Sequence, residues 1–245
     1  GGVYESTFDV YGGVYGGARA KDGGSTNIYM TGGDVEHGVY GGSNLTGTIN
    51  NNVTMQINGG QVGTSSKSAN IHGGGYGNST TVSGNVNMTI GESTSATDWV
   101  KVYGNVYGGS ALGTVSGNTA ITMNKGEING NLFGGALGND TYAAQVNGNV
   151  EVTVNGGKVT GAVFGWNDAN GTPKGTVSVT INGTDATTYD GSGNRIYALQ
   201  GVYGGGNLAH YNPTTATNGY PKVVVNKCLT SIKEVYGGGN AAAGP

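Results

Sequence analysis

One short pattern recurs along the whole chain and constrains what it can fold into: an aliphatic residue, an aromatic ring, then two glycines. It reads Val14-Tyr15-Gly16-Gly17, Val39-Tyr40-Gly41-Gly42, Ile71-His72-Gly73-Gly74 and Val106-Tyr107-Gly108-Gly109. It continues as Leu132-Phe133-Gly134-Gly135, Val163-Phe164-Gly165-Trp166, Val202-Tyr203-Gly204-Gly205 and Val235-Tyr236-Gly237-Gly238. The ring positions lie 25, 32, 35, 26, 31, 39 and 33 residues apart. Self-similarity at periods of roughly 20–50 residues marks a stacked repeat architecture, because so small a unit cannot bury its apolar face alone.

Between the copies lies a block of strict alternation, as in Val53-Thr54-Met55-Gln56-Ile57 and Val150-Glu151-Val152-Thr153-Val154. A period of two predicts strands with one apolar and one polar face. A third short element precedes several of the ring copies, as in Gly59-Gly60-Gln61-Val62 and Gly156-Gly157-Lys158-Val159. At the corners two aliphatics flank a glycine, as in Val82-Ser83-Gly84-Asn85-Val86 and Val159-Thr160-Gly161-Ala162-Val163. Glycine there suggests bends made through positive φ. Three strands and three bends per turn predict an all-β fold. It is a right-handed parallel β-helix (β-solenoid), roughly triangular, of about eight rungs, spanning residues 1–245 as one domain. At about 4.8 Å per rung the rod is on the order of 40 Å long. The crossover between stacked parallel strands sets the hand. Gly1-Gly2-Val3-Tyr4 reads as the middle of a repeat, so the chain is expected to be a segment of a longer array.

Equivalent positions of such a coil form columns. The residue before the ring is always aliphatic, which places it inside; alternation then places the ring outside. Tyr15, Tyr40, His72, Tyr107, Phe133, Phe164, Tyr203 and Tyr236 are therefore the candidate binding strip, an aromatic stripe beside flat glycine backbone. The competing reading is that the rings cover that backbone and stabilise the stack. Asn58, Asn124, Asn155, Asn182 and Asn226 end the alternating block and predict an amide ladder.

Composition narrows the function classes. Glycine numbers 52 and proline only 4, with no Gly-X-Y triplet, so the chain is not collagen-like. Charged residues are 10% and net charge is −3, which leaves no basic stripe for nucleic acid. No apolar run approaches 18 residues, so no direct membrane insertion is expected. The single cysteine, Cys228, makes no disulfide framework. No metal, cofactor or catalytic set emerges. His37, His72 and His210 lack ligand spacing. Gly108 to Gly113 has phosphate-loop glycine spacing, but Thr114-Val115 follows where Lys-Ser/Thr is required. The local charge clusters are Asp168 near Lys174, and Asp185 and Asp190 near Arg195. Insertions at residues 64–70, 92–99, 139–145, 184–195 and 208–220 could carry binding, as loops on rigid scaffolds do. Trp99 and Trp166 lie in or beside irregular places.

The Ile-Asn-Gly-Gly and Val-Tyr-Gly-Gly repeats resemble the glycine-rich repeats of bacterial surface proteins. Autotransporter passenger adhesins and chlamydial polymorphic membrane proteins are the nearest comparisons. The sparse, scattered acids give no expectation of an enzyme, and the resemblance implies an extracellular or cell-surface β-helix acting in adhesion. It would adhere to a host or bacterial glycan or protein, or to further repeats of its own kind at open ends. It assigns no residue a role. Two alternatives compete: a carbohydrate-active β-helix that binds or cleaves polysaccharide, and an ice-binding solenoid using Thr54, Thr89, Thr122, Thr153 and Thr180.

Overall fold

The computed structural model describes residues 2–4, 9–92, 99–212, 219–226 and 230–240; among them there are strands and turns and no helix. Cys228 and the middle parts of the insertions at 92–99 and 208–220 lie outside the described residues.

Most strands join one 19-stranded sheet in which every pairing is parallel. The alternating blocks supply its longest column. Thr26–Val35, Val53–Val62, Val86–Ile90, Thr119–Met123, Val150–Val154, Val177–Ile181 and Lys222–Val225 pair in succession, each with the equivalent strand of a neighbouring repeat. Register follows the apolar pattern: Ile28, Met55, Met88, Ile121, Val152 and Val179 lie side by side and are buried. A one-residue slip would turn that whole set to solvent, so the register is strongly specified.

The ring motif forms a second column in the same sheet. Val14, Val39, Ile71, Val106, Leu132, Val163, Val202 and Val235 pair in unbroken succession. The short third element stacks likewise, through Gln61, Lys101, Glu127 and Lys158. The expectation of three strands per repeat needs one correction. Thr46–Ile49, Ser79–Val82, Thr114–Val115 and Gln145–Val146 form a separate four-stranded parallel sheet. The central repeats therefore carry a fourth strand, whose aliphatics Ile49, Val82, Val115 and Val146 also enter the core. These strands lie between the ring motif and the corner that precedes the alternating block, a stretch for which the sequence reading expected no strand.

A single apolar cluster runs from Val14 to Ala209 and takes in aliphatics from every column. Burying a side chain of this class stabilises by about 1.5–3 kcal/mol before entropy is set against it. Trp166 replaces the second glycine of its motif and fills this cluster, fully buried, with its indole N–H donating to the Gly171 carbonyl at 3.0 Å.

The glycines also depart from expectation. Gly84, Gly130, Gly148 and Gly161 do not have positive φ. A Cβ at any of them would strike the carboxamide oxygen of the asparagine one repeat earlier, so close stacking excludes a side chain. Left-handed glycines stand instead at other bends, as after the alternating block at Gly126 (φ 105°) and Gly157 (φ 87°). The first glycine of the motif is likewise packed rather than a flexible edge. At Gly41 a Cβ would meet the Gly73 carbonyl oxygen and lie 2.5 Å from Val53 Cγ1.

Candidate binding surfaces

The eight rings predicted as a strip do form one column. Adjacent centroids from Tyr15 to Tyr236 are 4.6–5.1 Å apart, with planes 3–13° from parallel. This spacing is that of stacked strands, and it lies within the range for offset aromatic pairs, worth about 0.5–1.5 kcal/mol each beyond burial. Alternation correctly turns the rings away from the main core. Their exposure, however, is not as expected. Tyr40, His72, Tyr107, Phe133 and Phe164 are buried, Tyr15 and Tyr203 are half-buried, and only Tyr236 is open, at 45%. Residues on either side of the motif cover the rings. Tyr76 stands edge-on to Tyr40 at 5.4 Å, and Leu137 and Ala162 pack on the Tyr107–Phe133–Phe164 cluster. The middle of the column is a second core rather than a binding strip.

Of the polar groups in this second core, the Tyr107 hydroxyl is fully engaged. The Tyr107 hydroxyl donates to Asp168 Oδ2 at 2.9 Å and accepts from Asn105 Nδ2 at 2.8 Å. Burial, and then the nearby Asp168 charge, push the Tyr107 pKa up. Burial pushes Tyr40 up to about 12. His72 sits between Tyr40 and Tyr107; burial drives its pKa down to about 3, and its Nδ1 has no partner.

The predicted amide ladder is present. Asn155, Asn182 and Asn226 each donate through Nδ2 to the Oδ1 of the preceding member, at 2.9, 2.8 and 2.7 Å, and Asn124 starts the series. Asn58 falls at a register irregularity in the pairing of Thr26–Val35 with Val53–Val62. Two further ladders run along the corners. Asn52, Asn85, Asn118 and Asn149 each accept, through Oδ1, the backbone N–H of the equivalent residue one repeat on, at 2.8–3.0 Å. Asn70, Asn105 and Asn131 do the same at 2.8 Å. The Gly-Asn dipeptides at the corners were their signal.

The charged groups are dispersed in the same way. Lys101 and Lys158 flank Glu127 at 3.4 and 3.8 Å along the third column. Asp168 also accepts from Asn207 Nδ2 at 2.9 Å, and Asp185 accepts from the Gly157 N–H at 3.2 Å. Asp190 closes a hairpin turn by accepting from the Ser192 and Asn194 N–H groups at 2.8 Å. Arg195, in the same hairpin, bonds Tyr189 and Tyr197. Asp168 and Asp185 are thus fastenings within the stack, and Asp190 and Arg195 are local fastenings of a separate hairpin. Among the described residues no three His, Cys, Asp or Glu side chains come together.

Pairing also reassigns the threonines. Thr89, Thr122, Thr153 and Thr180 are register partners, but Thr54 pairs with Asn87, and Gln56 takes its place opposite Thr89. The neighbouring outward column reads Thr54, Asn87, Ala120, Glu151 and Ser178. Trp99 is 52% exposed, whereas Trp166 is buried and offers no platform.

One concavity stands out on the outer surface, and sequence reading did not single it out. It is a shallow groove of about 200 Å³ lined by Asn85, Asn87, Asn118, Ala120, Asn149 and Glu151, with Thr119 beneath. Ala120, between the longer Asn87 and Glu151 in one column, leaves the hollow. The corner asparagines form its side wall.

No family model, no curated protein and no solved structure matches this chain.

Proposed function

We propose that the chain is a non-catalytic, right-handed β-helical rod of about eight rungs, secreted or displayed at the cell surface, that adheres to glycan or protein through its outer face. The observation that carries this reading is the unbroken parallel register of all eight ring motifs. Rings, amides and many of the charges engage the equivalent group one repeat away instead of converging on one point. Hydrolysis of glycosides calls for two carboxyl groups facing each other across a bond. Here Asp168, Asp185 and Asp190 each accept hydrogen bonds that hold the stack or its loops. A rigid scaffold with polar outer columns suits display and multivalent contact.

The test combines shape, binding and turnover. Small-angle scattering should give an elongated particle. The purified chain should adhere to at least one surface in a panel of glycans and matrix proteins, and incubation with polysaccharides should release no reducing ends. Release of reducing ends, or failure to adhere to any surface, would overturn the reading.

A further inference from the structure

We infer that the groove over Ala120 binds a neutral polysaccharide chain running along the rod axis; this rests on the adhesive reading and names its site. The wall of the groove is a set of oriented donors. Asn85, Asn118 and Asn149 have their Oδ1 atoms held by backbone N–H groups of the next repeat, at 2.8, 2.8 and 3.0 Å. That bond occupies each Oδ1, and no protein acceptor pairs with the three Nδ2 groups among the described residues. The three sit on successive rungs, about 4.8 Å apart. An extended chain of pyranose units repeats at a comparable distance, so one sugar unit per rung keeps its hydroxyls in step with the amides.

The other wall supplies the complementary chemistry. Asn87 offers an amide and Glu151 a carboxylate, both exposed and neither bonded to another described side chain. Sugar hydroxyls donate and accept, so they satisfy both kinds of group at once. Ala120, between them in the same column, is the low point of that wall and gives a small apolar contact for one ring. The lining contains no cation, and Glu151 repels anions, so uronate-rich or sulfated chains are disfavoured. A protein partner would be expected to bury an apolar or aromatic centre, and the groove has only the Ala120 methyl to offer. The amides are preorganised by the fold, so binding incurs little side-chain ordering cost.

The experiment is calorimetric titration of the chain with neutral oligosaccharides of two to six units (gluco-, manno-, xylo- and galacto-series), with oligogalacturonate as the anionic control. At least one neutral series should bind, with affinity rising until about three or four units and then levelling, because the groove spans three rungs. Ala120→Trp, which fills the hollow without touching the core, should weaken binding by about tenfold or more. A double variant, Asn87→Ala with Glu151→Ala, should weaken it similarly, with unfolding midpoints close to wild type. If wild type adheres in the wider panel but ignores every neutral series, or if Ala120→Trp binds like wild type, the groove assignment falls and the adhesive reading stands. If wild type adheres to nothing at all, the adhesive reading itself falls.

Discussion

The His72 site offers the sharpest test of the aromatic column as a second core. His72 occupies a position that Phe133 and Phe164 fill elsewhere in the same stack, so His72→Phe should fit without strain. At neutral pH the variant removes the unpartnered, buried Nδ1, a group that costs about 1–3 kcal/mol. The effect should grow in acid. Burial lowers the folded pKa of His72 to about 3, against an unfolded value near 6.5. Between those values the unfolded chain holds the extra proton, so stability is fully present above about pH 6.5 and declines as pH falls towards 3. Each pH unit is worth about 1.4 kcal/mol. Wild type should therefore lose about 2–3 kcal/mol through this group between pH 6.5 and 4.5, and the phenylalanine variant should lose none. Tyr40 and Tyr107, which sandwich the ring, stay neutral throughout this range. Urea unfolding of both proteins at pH 7.5, 6.0 and 4.5, followed by fluorescence of the buried Trp166, reads the difference directly. Carboxylates titrate alike in both and cancel. A gap that stays constant, or narrows as pH falls, would refute the placement of His72 in a dry stack.

Other outcomes follow from the same geometry. Tyr107→Phe should cost about 1–3 kcal/mol, because Asp168 and Asn105 lose a buried partner, while Tyr107→Ser should cost about 3–5 kcal/mol as a large-to-small change in a packed cluster; thermal melts compare the two. Gly41→Ala drives a Cβ into the Gly73 carbonyl and the Val53 side chain and should lower the melting temperature sharply, whereas Gly191→Ala, with open space around it, should leave it unchanged. Asn155→Ala breaks two rungs of the amide ladder and should destabilise more than Asn226→Ala, which has one such bond to lose, each bond being worth about 0.5–1.5 kcal/mol in chemical denaturation.

Sequence alone carried the columns well and the surface poorly, for one reason. Alternation along Val150-Glu151-Val152 reports which face of a strand a residue occupies, and the structure agrees along Val53–Ile57, Val86–Ile90, Val150–Val154 and Val177–Ile181. It also put the rings on the face opposite Val106 and Leu132, where they are. What alternation cannot report is whether another segment covers that face. The cover comes from residues such as Tyr76 and Leu137, which lie just past the motif and show no periodicity of their own. The same limit explains the corners. Gly84 and Gly148 looked like bend-makers, yet their need for hydrogen at Cα comes from the asparagine oxygen one repeat away, at Asn52 and Asn118, far off in sequence. The threonine columns were misaligned at Thr54 because a shift of two residues leaves alternation intact.

In a stacked repeat, function is to be sought where a column departs from its own average. Positions that recur are constrained by the neighbour above and below, and a group held by its own copy has little left to offer a ligand. The departures fall into two kinds. Trp166 replaces a glycine on the inside, and the core closes around it. Ala120 interrupts the outward run of Thr54, Asn87, Glu151 and Ser178, and no described segment closes over it. The first kind changes stability; the second leaves a hollow beside amides whose oxygens are already held. A binding site built this way needs no convergent set of reactive residues. One short side chain in an otherwise longer column is enough, which is why motif searches along the chain pass over it and alignment of its columns does not.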